Sequence, residues 1–262
     1  MKVVLFCGGL GTRLREYSET IPKPLANIGL RPIIWHLMKY YAEYGHKEFV
    51  LCLGYKGEMI KDYFLKYQET VSNNFVLSNS GEQIELLDTD ISDWKITFID
   101  TGQKSNIGQR LKAIEKYVAD DEYFLANYSD GLTDLDLAKH INQAKENKAI
   151  ASFVMVRPSL SFHAVEADDT GLVKKIHLSG AENWINGGFF VLHKSIFDYI
   201  KDGEELVEQP FERLIKEEKL YSFKYKGFWS AMDTFKDKKE LDSLYDDGSP
   251  PWMIWKNDKS KI

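Results

Sequence analysis

The chain has 262 residues, of which 44% are apolar and 28% are charged, a composition typical of a globular domain with a sizeable core. No apolar run is long enough to cross a bilayer, and Gly8, Gly9 and Gly11 interrupt the apolar amino terminus in a way that argues against a secretory signal. The net charge of −6 argues against the basic face that nucleic-acid binding requires. We therefore expect a cytoplasmic protein with no membrane or nucleic-acid partner.

The first part of the chain alternates short apolar runs with helical periodicities, which predicts parallel strands joined by helices. VVLF is the first predicted strand, and Pro32 opens an amphipathic helix that runs to about Tyr44. EFVLCL is the second strand, and a helix follows over about 57–67. Cys7 and Cys52 lie in these two strands without metal-binding spacing, so we expect buried thiols in a reducing compartment.

The stretch from Asn73 to Asp100 alternates polar and apolar residues around the turn-like NSGEQ and ends in KITFID. This pattern predicts a β-rich insertion at about 73–100. A helix over 109–118 and the strand EYFLAN follow. The polar loop YSDG then leads into a helix that begins near Asp134 or Asp136.

From about residue 149 the pattern changes to strands with fewer helices, in the segments IASFVMV, FHAVEAD, LVKKIHL and WINGGFFVL. Helices are predicted near 195–200 and 209–218, followed by the strand KLYSFKY and a helix over 234–245 that Thr234 caps. The tail contains two tryptophans, which we expect to dock on this chain or on a neighbouring subunit.

These elements together predict one α/β domain with a doubly wound, mostly parallel sheet and a smaller β-rich part. The domain divides into a first half at 1–148, which contains the insertion, and a second half at 149–245. The segment 246–262 forms a carboxy-terminal tail.

A glycine-rich turn follows the first strand, in the sequence GGLGTRL. Glycines let backbone amides approach phosphate oxygens closely. The residue at position 14 is leucine where a dinucleotide-binding loop has a third glycine, and no GxxxxGK[ST] loop follows. Arg13 can contact two phosphate oxygens at once, and Lys23 is held between Pro22 and Pro24. From these residues alone, the turn is either an anion site or an ordinary structural turn.

GGLGTRL followed by PKPL resembles the signature of the sugar-phosphate nucleotidyltransferases, and the likeness continues through GYKG, YSDG, INGGF and FWSAMDT. Within that family the glucose-1-phosphate cytidylyltransferase branch is the most similar, through PIIWHLMKYY, DTGQKSNIGQRLK and PWMIW. The resemblance implies a Rossmann-like fold. It also implies an enzyme of nucleotide-sugar biosynthesis that uses CTP and Mg²⁺ and binds the nucleotide in 1–148 and the phosphorylated acceptor in 149–245. A continuous sheet edge and the aromatic tail favour a homo-oligomer.

The resemblance also assigns residues, of which Arg13, Lys23 and Asp130 would be catalytic. Asp130 and Asp233 would bind Mg²⁺, for which hard oxygen ligands are suited. Residues with a nucleotide-binding role would be Phe6, Gly8, Gly9, Leu10, Gly11, Thr12, Arg13, Lys23, Ser105, Arg110 and Ser129. Residues that contact the acceptor would be Tyr128, Asn186, Gly187 and Trp229.

Three positions depart from the family pattern. Ile107 stands where the cytidylyltransferase branch usually has threonine, and Ser129 stands where the family has glycine. The serine hydroxyl would lie near a water on the metal or simply fill the turn. The family's Glu-Lys-Pro motif, whose lysine binds the sugar phosphate, is absent before INGGF. Side chains that could replace this lysine are Lys174, Lys175, Arg157 and His163.

The predicted reaction is in-line attack of the acceptor phosphate on the α-phosphate of CTP, with release of pyrophosphate. Two alternatives keep the same chemistry, with UTP or dTTP as the donor or with a non-sugar acceptor. A third alternative, from another class, is a regulatory nucleotide-binding protein that has lost catalysis.

Overall fold

The computed structural model describes residues 1–9, 20–157, 163–178 and 183–256. None of the helices in these ranges combines the length and the apolar character that crossing a lipid bilayer requires.

Strands and helices alternate through the first half, as the sequence pattern predicts. The strands are β1 (Val3–Phe6), β2 (Asn27–Ile28), β3 (Arg31–Pro32), β4 (Glu48–Leu53), β5 (Phe75–Ser78), β6 (Gln83–Leu86), β7 (Lys95–Asp100), β8 (Tyr123–Tyr128), β9 (Gly131–Thr133), β10 (Ala151–Val156), β11 (His163–Ala167), β12 (Val173–Leu178), β13 (Ile185–Asn186), β14 (Phe190–His193), β15 (Leu220–Lys224) and β16 (Trp229–Ala231). The helices are α1 (Ile33–Glu43), α2 (Gly57–Leu65), α3 (Ile107–Ala113), α4 (Glu115–Val118), α5 (Leu137–Glu146), α6 (Gln209–Lys216) and α7 (Phe235–Asp246).

The central sheet has eight strands, in the order β15, β10, then β13 and β14 end to end, then β8, β1, β4 and β7. Strands β8, β1, β4 and β7 are parallel, whereas β14 is antiparallel to β8. The chain moves from β1 to β4 on one side and later to β8 on the other. The strand order therefore reverses at β1, and the carboxyl ends of β1 and β8 border a crevice, where α/β sheets usually bind ligands.

Residues that alternate along β1 pack on opposite faces of the sheet. Val3 and Leu5 belong to one buried apolar cluster, and Val4 and Phe6 belong to a second. Helices cover both faces, and this explains why the parallel strands are continuous apolar runs rather than alternating ones. The doubly wound α/β fold predicted from the sequence is observed.

Two predicted β segments differ from the structure. KITFID is not part of the insertion, because β7 pairs in parallel with β4 in the central sheet. The insertion is the exposed hairpin of β5 and β6. WINGGFFVL is not one strand, because Gly188 and Phe189 have positive φ values of 76° and 51° and separate β13 from β14. Both short strands still pair with β10.

The segment after β8 also differs from the prediction of a loop followed directly by a helix. Residues 131–133 form β9, which pairs antiparallel with β16. The next helix begins at Leu137, and the Asp136 side chain accepts a hydrogen bond from the Lys139 amide. Asp134 instead accepts a hydrogen bond from the Phe228 amide at 2.8 Å.

The tail docks on the same chain. Trp252 is fully buried, and its indole N–H donates to Nδ1 of His36 on α1 at 3.3 Å. Trp255 packs edge-on against Trp35. His36 is thus a core histidine and Cys7 and Cys52 are buried free thiols, as expected.

Candidate active site

A cavity of about 540 Å³ opens at the crevice beside β1 and β8. The segments that follow three of the parallel strands, β1, β7 and β8, form most of its wall. The described residues that line it are Phe6, Cys7, Gly8, Gly9, Lys23, Pro24, Gln103, Lys104, Ser105, Asn106, Ile107, Arg110, Tyr128, Ser129, Asp130, Glu205 and Asp233.

Three predicted residues that are distant in sequence meet in this cavity. The Lys23 ammonium nitrogen lies 2.5 Å from Oδ2 of Asp130 and 2.8 Å from Oδ1 of Asp233. Strand pairing between β9 and β16 explains how the aspartates come together. Gly131 pairs with Ala231, and the Met232 amide donates to the carbonyl oxygen of Asp130 at 2.9 Å.

Local backbone structure positions Lys23. It begins a single 3-10 turn, residues 23–25, which closes with hydrogen bonds from Leu25 to Pro22 and from Ala26 to Lys23. Burial alone lowers the pKa of the ammonium, but the charge of Asp130 and hydrogen bonds to both carboxylates outweigh burial. The pKa of Lys23 is therefore raised above its ordinary value, and the side chain is a cation at neutral pH.

The two aspartates suit a magnesium ion. Their carboxylates already converge on one cation, the Lys23 ammonium. Among the described residues, no third histidine, cysteine or carboxylate joins them to form a larger metal-binding group. Magnesium commonly uses one or two carboxylates and completes its coordination with water and substrate phosphates, so the pair fits this ion.

Arg110 contacts the start of the glycine-rich turn through hydrogen bonds. Arg110 is buried, with only 2% of its surface exposed. Its guanidinium donates to the carbonyl oxygens of Gly8 and Leu53 at 2.9 and 3.0 Å, and to the Thr101 hydroxyl at 2.7 Å. A Cβ on Gly8 would lie 2.1 Å from the guanidinium, so glycine is required for this contact. Arg110 lines the cavity, but both of its terminal nitrogens already donate to groups of the protein.

The other nucleotide-binding candidates that the structure describes also lie on the cavity wall. The Ser129 hydroxyl donates to the Phe6 carbonyl at 2.9 Å and so links β8 to β1. This bond favours a role within the turn over one beside a metal-bound water. The Ser105 hydroxyl donates to the Thr101 carbonyl at 2.5 Å. Gly9 is exposed there, whereas Leu10, Gly11, Thr12 and Arg13 lie outside the described residues.

The acceptor candidates lie in and beside the cavity. Tyr128 lines it, and the Asn186 side-chain amide donates to the Tyr128 hydroxyl at 3.4 Å. Burial, with a contribution from Glu205, raises the pKa of Tyr128 to about 12. Trp229 donates its indole N–H to the Gly187 carbonyl at 2.9 Å. Asn186, Gly187 and Trp229 are adjacent to the cavity but do not line it.

The side chains that could replace the absent family lysine have other contacts. Lys174 pairs with Asp168 at 2.9 Å and Lys175 pairs with Glu166 at 3.5 Å, on the exposed hairpin of β11 and β12. Arg157 lies over the Trp184 ring, two residues before Asn186. Of the three, Arg157 is the one placed toward the predicted acceptor segment. The side chain of His163 lies outside the description.

Sequence reasoning missed Glu205, which lines the cavity. It accepts hydrogen bonds from the backbone amides of Ile107, the first residue of α3, and of Leu206. Glu205 is one of several acids in a polar segment, and only the tertiary structure places it in the cavity.

The chain is similar to nucleotidyltransferases over nearly its whole length. A model of the nucleotidyl transferase family matches residues 2–245. Glucose-1-phosphate cytidylyltransferase of Salmonella typhi is 39% identical over 258 residues, which cover 97% of this chain and 100% of the relative. A Bacillus subtilis (strain 168) protein described as a probable glucose-1-phosphate cytidylyltransferase is 40% identical, with the same coverage.

Among solved structures, UDP-glucose pyrophosphorylase complexed with UDP-glucose has a TM-score of 0.67 and 15% identity, and the match covers 94% of this chain and 98% of that one. At this identity the likeness concerns the fold alone. It confirms the α/β fold predicted from the sequence.

Proposed function

Because this chain belongs to the nucleotidyl transferase family, we propose that it transfers a cytidylyl group from CTP to a phosphorylated small molecule. Pyrophosphate leaves, and the product is a CDP-activated compound. The names of the relatives favour glucose 1-phosphate or another sugar phosphate as the acceptor. The observation that carries the proposal is the meeting of Lys23, Asp130 and Asp233 in the large cavity at the sheet crevice.

We assign the triphosphate to the part of the cavity formed by the glycine turn and Lys23. Gly8 and Gly9 line the cavity there, with Gly9 exposed, and Lys23 brings a positive charge. Arg110 supports the turn through its bond to Gly8. Leu10, Gly11, Thr12 and Arg13 would complete the loop around the phosphates, as the family resemblance implies.

We propose that Asp130 and Asp233 together hold Mg²⁺. When bound, the ion would supply positive charge to the phosphate oxygens. Lys23 contacts the same two carboxylates, and with substrate bound it would donate to a phosphate oxygen instead. The carboxylates thus position positive charge where two anions must meet.

Little acid–base chemistry is required of the protein. The second pKa of a phosphate monoester is about 6, so the acceptor is largely a dianion at neutral pH and its oxygen is already a nucleophile. Repulsion between this dianion and the triphosphate opposes the reaction. The site overcomes it by placing the two groups in line and by neutralising the nonbridging and leaving oxygens.

The cavity wall favours direct attack over a covalent enzyme intermediate. Cys7 lies on this wall, but burial raises the pKa of its thiol to about 12, so the reactive thiolate is not formed at neutral pH. The Ser129 hydroxyl donates its proton to the Phe6 carbonyl oxygen, which is not a general base that could activate the hydroxyl as a nucleophile. We therefore expect inversion at a chiral α-phosphorothioate, whereas retention would contradict direct attack.

The acceptor would lie between the aspartates and Tyr128, with Asn186, Gly187 and Trp229 shaping the adjacent surface. Asn186 reaches this region through its bond to the Tyr128 hydroxyl. Because the family lysine is absent, we propose Arg157 as a candidate for the acceptor's anionic group. A non-sugar phosphorylated acceptor remains the alternative within this proposal.

Substrate profiling tests the proposal. The protein would be incubated with Mg²⁺, each of CTP, UTP, dTTP, ATP and GTP, and a panel of sugar and non-sugar phosphates, and pyrophosphate release would be measured. We expect release with CTP and at least one phosphorylated acceptor. Turnover with UTP or dTTP but not CTP would contradict the base assignment. Triphosphate binding without turnover on any acceptor would favour the regulatory class.

We further propose that the protein is cytoplasmic and homo-oligomeric. The buried free thiols of Cys7 and Cys52 are consistent with a reducing compartment. Exposed apolar side chains on the hairpin of β5 and β6, including Val76, Leu77 and Ile84, support an interface between copies. Light scattering at micromolar concentration would test the assembly, and a monomer mass would contradict it.

A further inference from the structure

Glu205 lines the cavity, and two hydrogen bonds fix the position of its carboxylate. Its Oε2 accepts a hydrogen bond from the Ile107 amide at 3.2 Å, and its Oε1 accepts one from the Leu206 amide at 2.9 Å. Each carboxylate oxygen can accept more than one hydrogen bond. The two backbone contacts therefore fix the orientation of the group and still leave it able to accept from a ligand.

The first turn of α3 brings this segment to the cavity. A Cβ on Gly108 would lie 2.2 Å from the Glu204 carbonyl oxygen, so the absence of a side chain lets residues 204–206 lie directly against the helix. The Asn106 side chain also donates to the Gly203 carbonyl at 3.0 Å. Arg213 holds the neighbouring Glu204 by an ion pair on the α6 side. Of the two adjacent acids, Glu205 is the one on the cavity wall.

Unlike Asp130 and Asp233, which pair with Lys23, Glu205 has no ion pair among the described residues, and such an unneutralised carboxylate is unusual in a site that accepts a polyanion. It repels phosphates and can only accept hydrogen bonds. Its charge contributes, after burial, to the raised pKa of Tyr128, another residue that lines the cavity. The triphosphate must therefore lie toward Lys23, and the part of the nucleotide nearest Glu205 must carry hydrogen-bond donors.

We propose that Glu205 recognises the cytosine base by accepting a hydrogen bond from its exocyclic 4-amino group. The inference rests on the proposed function and specifies how the same site selects its donor. Cytosine presents an amino donor at this position, whereas uracil and thymine present a carbonyl acceptor that a carboxylate repels. Glu205 thus favours CTP and disfavours UTP through one contact.

Equilibrium binding tests the proposal without knowledge of the acceptor. The dissociation constants of CTP, UTP and the triphosphate of pyrimidin-2-one riboside, which lacks any group at C4, would be measured for the wild type and for Glu205→Gln. We expect the preference of the wild type for CTP over UTP to fall by about 10- to 100-fold in the variant. Removal of the 4-amino group should weaken binding to the wild type more than binding to the variant, because glutamine keeps an acceptor oxygen but loses the negative charge.

Glu208→Gln is the matched control, because Glu208 lies in the same segment, is exposed and does not line the cavity. It should retain the wild-type preference. A glutamine at 205 can still accept from the Ile107 amide, and an unchanged thermal unfolding curve would show that the segment remains folded.

Several outcomes would overturn the proposal. Equal weakening of CTP and UTP by Glu205→Gln would show that Glu205 only supports the start of α3. A dependence on Glu205 that disappears with 2′-deoxycytidine triphosphate would assign the contact to the ribose. If CTP and UTP bind the wild type equally and Glu205→Gln changes neither, base recognition by Glu205 is wrong while the proposed transfer stands. If the wild type does not bind CTP at all, the proposed function itself is wrong.

Discussion

Lys23 is the residue whose position links the sequence motif to the site. Its ammonium lies between the carboxylates of Asp130 and Asp233, where it neutralises two negative charges that would otherwise repel each other. A divalent cation at the same carboxylates would have to displace this contact. Lys23 and a metal ion are therefore competitors until a phosphate offers Lys23 another partner.

This competition predicts the behaviour of Lys23→Met. We expect divalent cations to bind more tightly without nucleotide, because the carboxylates lose their competing ammonium, while turnover falls at least about 100-fold because phosphate charge is no longer neutralised. Titration with Mn²⁺ followed by electron paramagnetic resonance measures the first effect. Lys104→Met is the control, since Lys104 lines the cavity without bonding to either aspartate. Weaker Mn²⁺ binding to Lys23→Met would contradict the prediction.

Asp130→Asn separates function from folding. The contact of Asp130 with β16 uses its backbone carbonyl, which accepts from the Met232 amide, so the substitution leaves this part of the fold intact. We expect turnover to be lost while the urea unfolding curve stays close to that of the wild type. Near-normal turnover would contradict the assignment of Asp130 to the catalytic site.

At the scale of elements, a buried polar cluster attaches the insertion to the domain. Asp90 lies in the segment between β6 and β7. Its carboxylate oxygens are 3.6 Å from the Arg31 guanidinium and 3.6 Å from the Lys39 ammonium, and it accepts a hydrogen bond from the Tyr67 hydroxyl at 2.8 Å. Arg31 is buried and also donates to the Gln68 carbonyl at 2.7 Å. The cluster thus joins the start of α1 to both sides of the hairpin.

Two neighbouring aspartates allow this attachment to be tested. Asp90→Ala leaves the buried Arg31 without its carboxylate, and we expect a loss of about 3–5 kcal/mol in the free energy of unfolding. Asp93 pairs with Lys47 on the surface, and we expect Asp93→Ala to cost less than about 1 kcal/mol. Urea denaturation of both variants provides the comparison. Equal losses would show that the cluster contributes no more than a surface ion pair.

Elements with local signals could be predicted from the sequence, and elements defined by partners could not. Thr234 caps α7 and Asp136 caps α5 through hydrogen bonds within four residues. The sequence predicts the Thr234 cap, and it offers Asp136 as one of two positions at which α5 could begin. KITFID was assigned to the insertion because its apolar pattern does not reveal its partner β4. The break in WINGGFFVL depends on positive φ at Phe189, a conformation that its own sequence does not favour.

The candidate site shows the same division. Lys23 and Asp130 are separated by 107 residues and Lys23 and Asp233 by 210, so no spacing rule brings them together. The family resemblance supplied these residues, and the structure shows their contact. Glu205 had neither a local pattern nor a family motif, and its place in the cavity depends on the close approach of residues 204–206 to Gly108.

At the scale of the whole molecule, buried histidines couple stability to pH. His36 and His140 are fully buried, and burial lowers the pKa of each to about 4. His36 is held neutral, because the Trp252 indole can only donate to its Nδ1, so Nε2 carries the proton toward the Ile28 carbonyl at 3.0 Å. Protonation of either ring would place a charge in the core.

The sign of the pH dependence follows from these shifts. The unfolded chain binds protons on histidine near pH 6.5 and the folded protein only near pH 4, so the stabilisation is fully present above pH 6.5 and is lost as the pH falls toward 4. Each of the two buried histidines accounts for about 3 kcal/mol over this window. Burial also lowers the pKa of His46, which is partly buried, to about 4, and this histidine acts in the same direction.

His140→Gln isolates one of these contributions. The ring Nε2 lies 3.0 Å from the Ser152 hydroxyl, and a glutamine amide can make the same bond without binding a proton. We expect the variant's free energy of unfolding to fall less steeply with decreasing pH. Between pH 6.5 and pH 4, unfolding of the variant should take up about one proton fewer than unfolding of the wild type. Urea unfolding at four pH values between 7.5 and 4.5 would measure the difference. Parallel curves for the variant and the wild type would show that His140 is protonated in the folded core, and that its burial does not set the acid limit of stability.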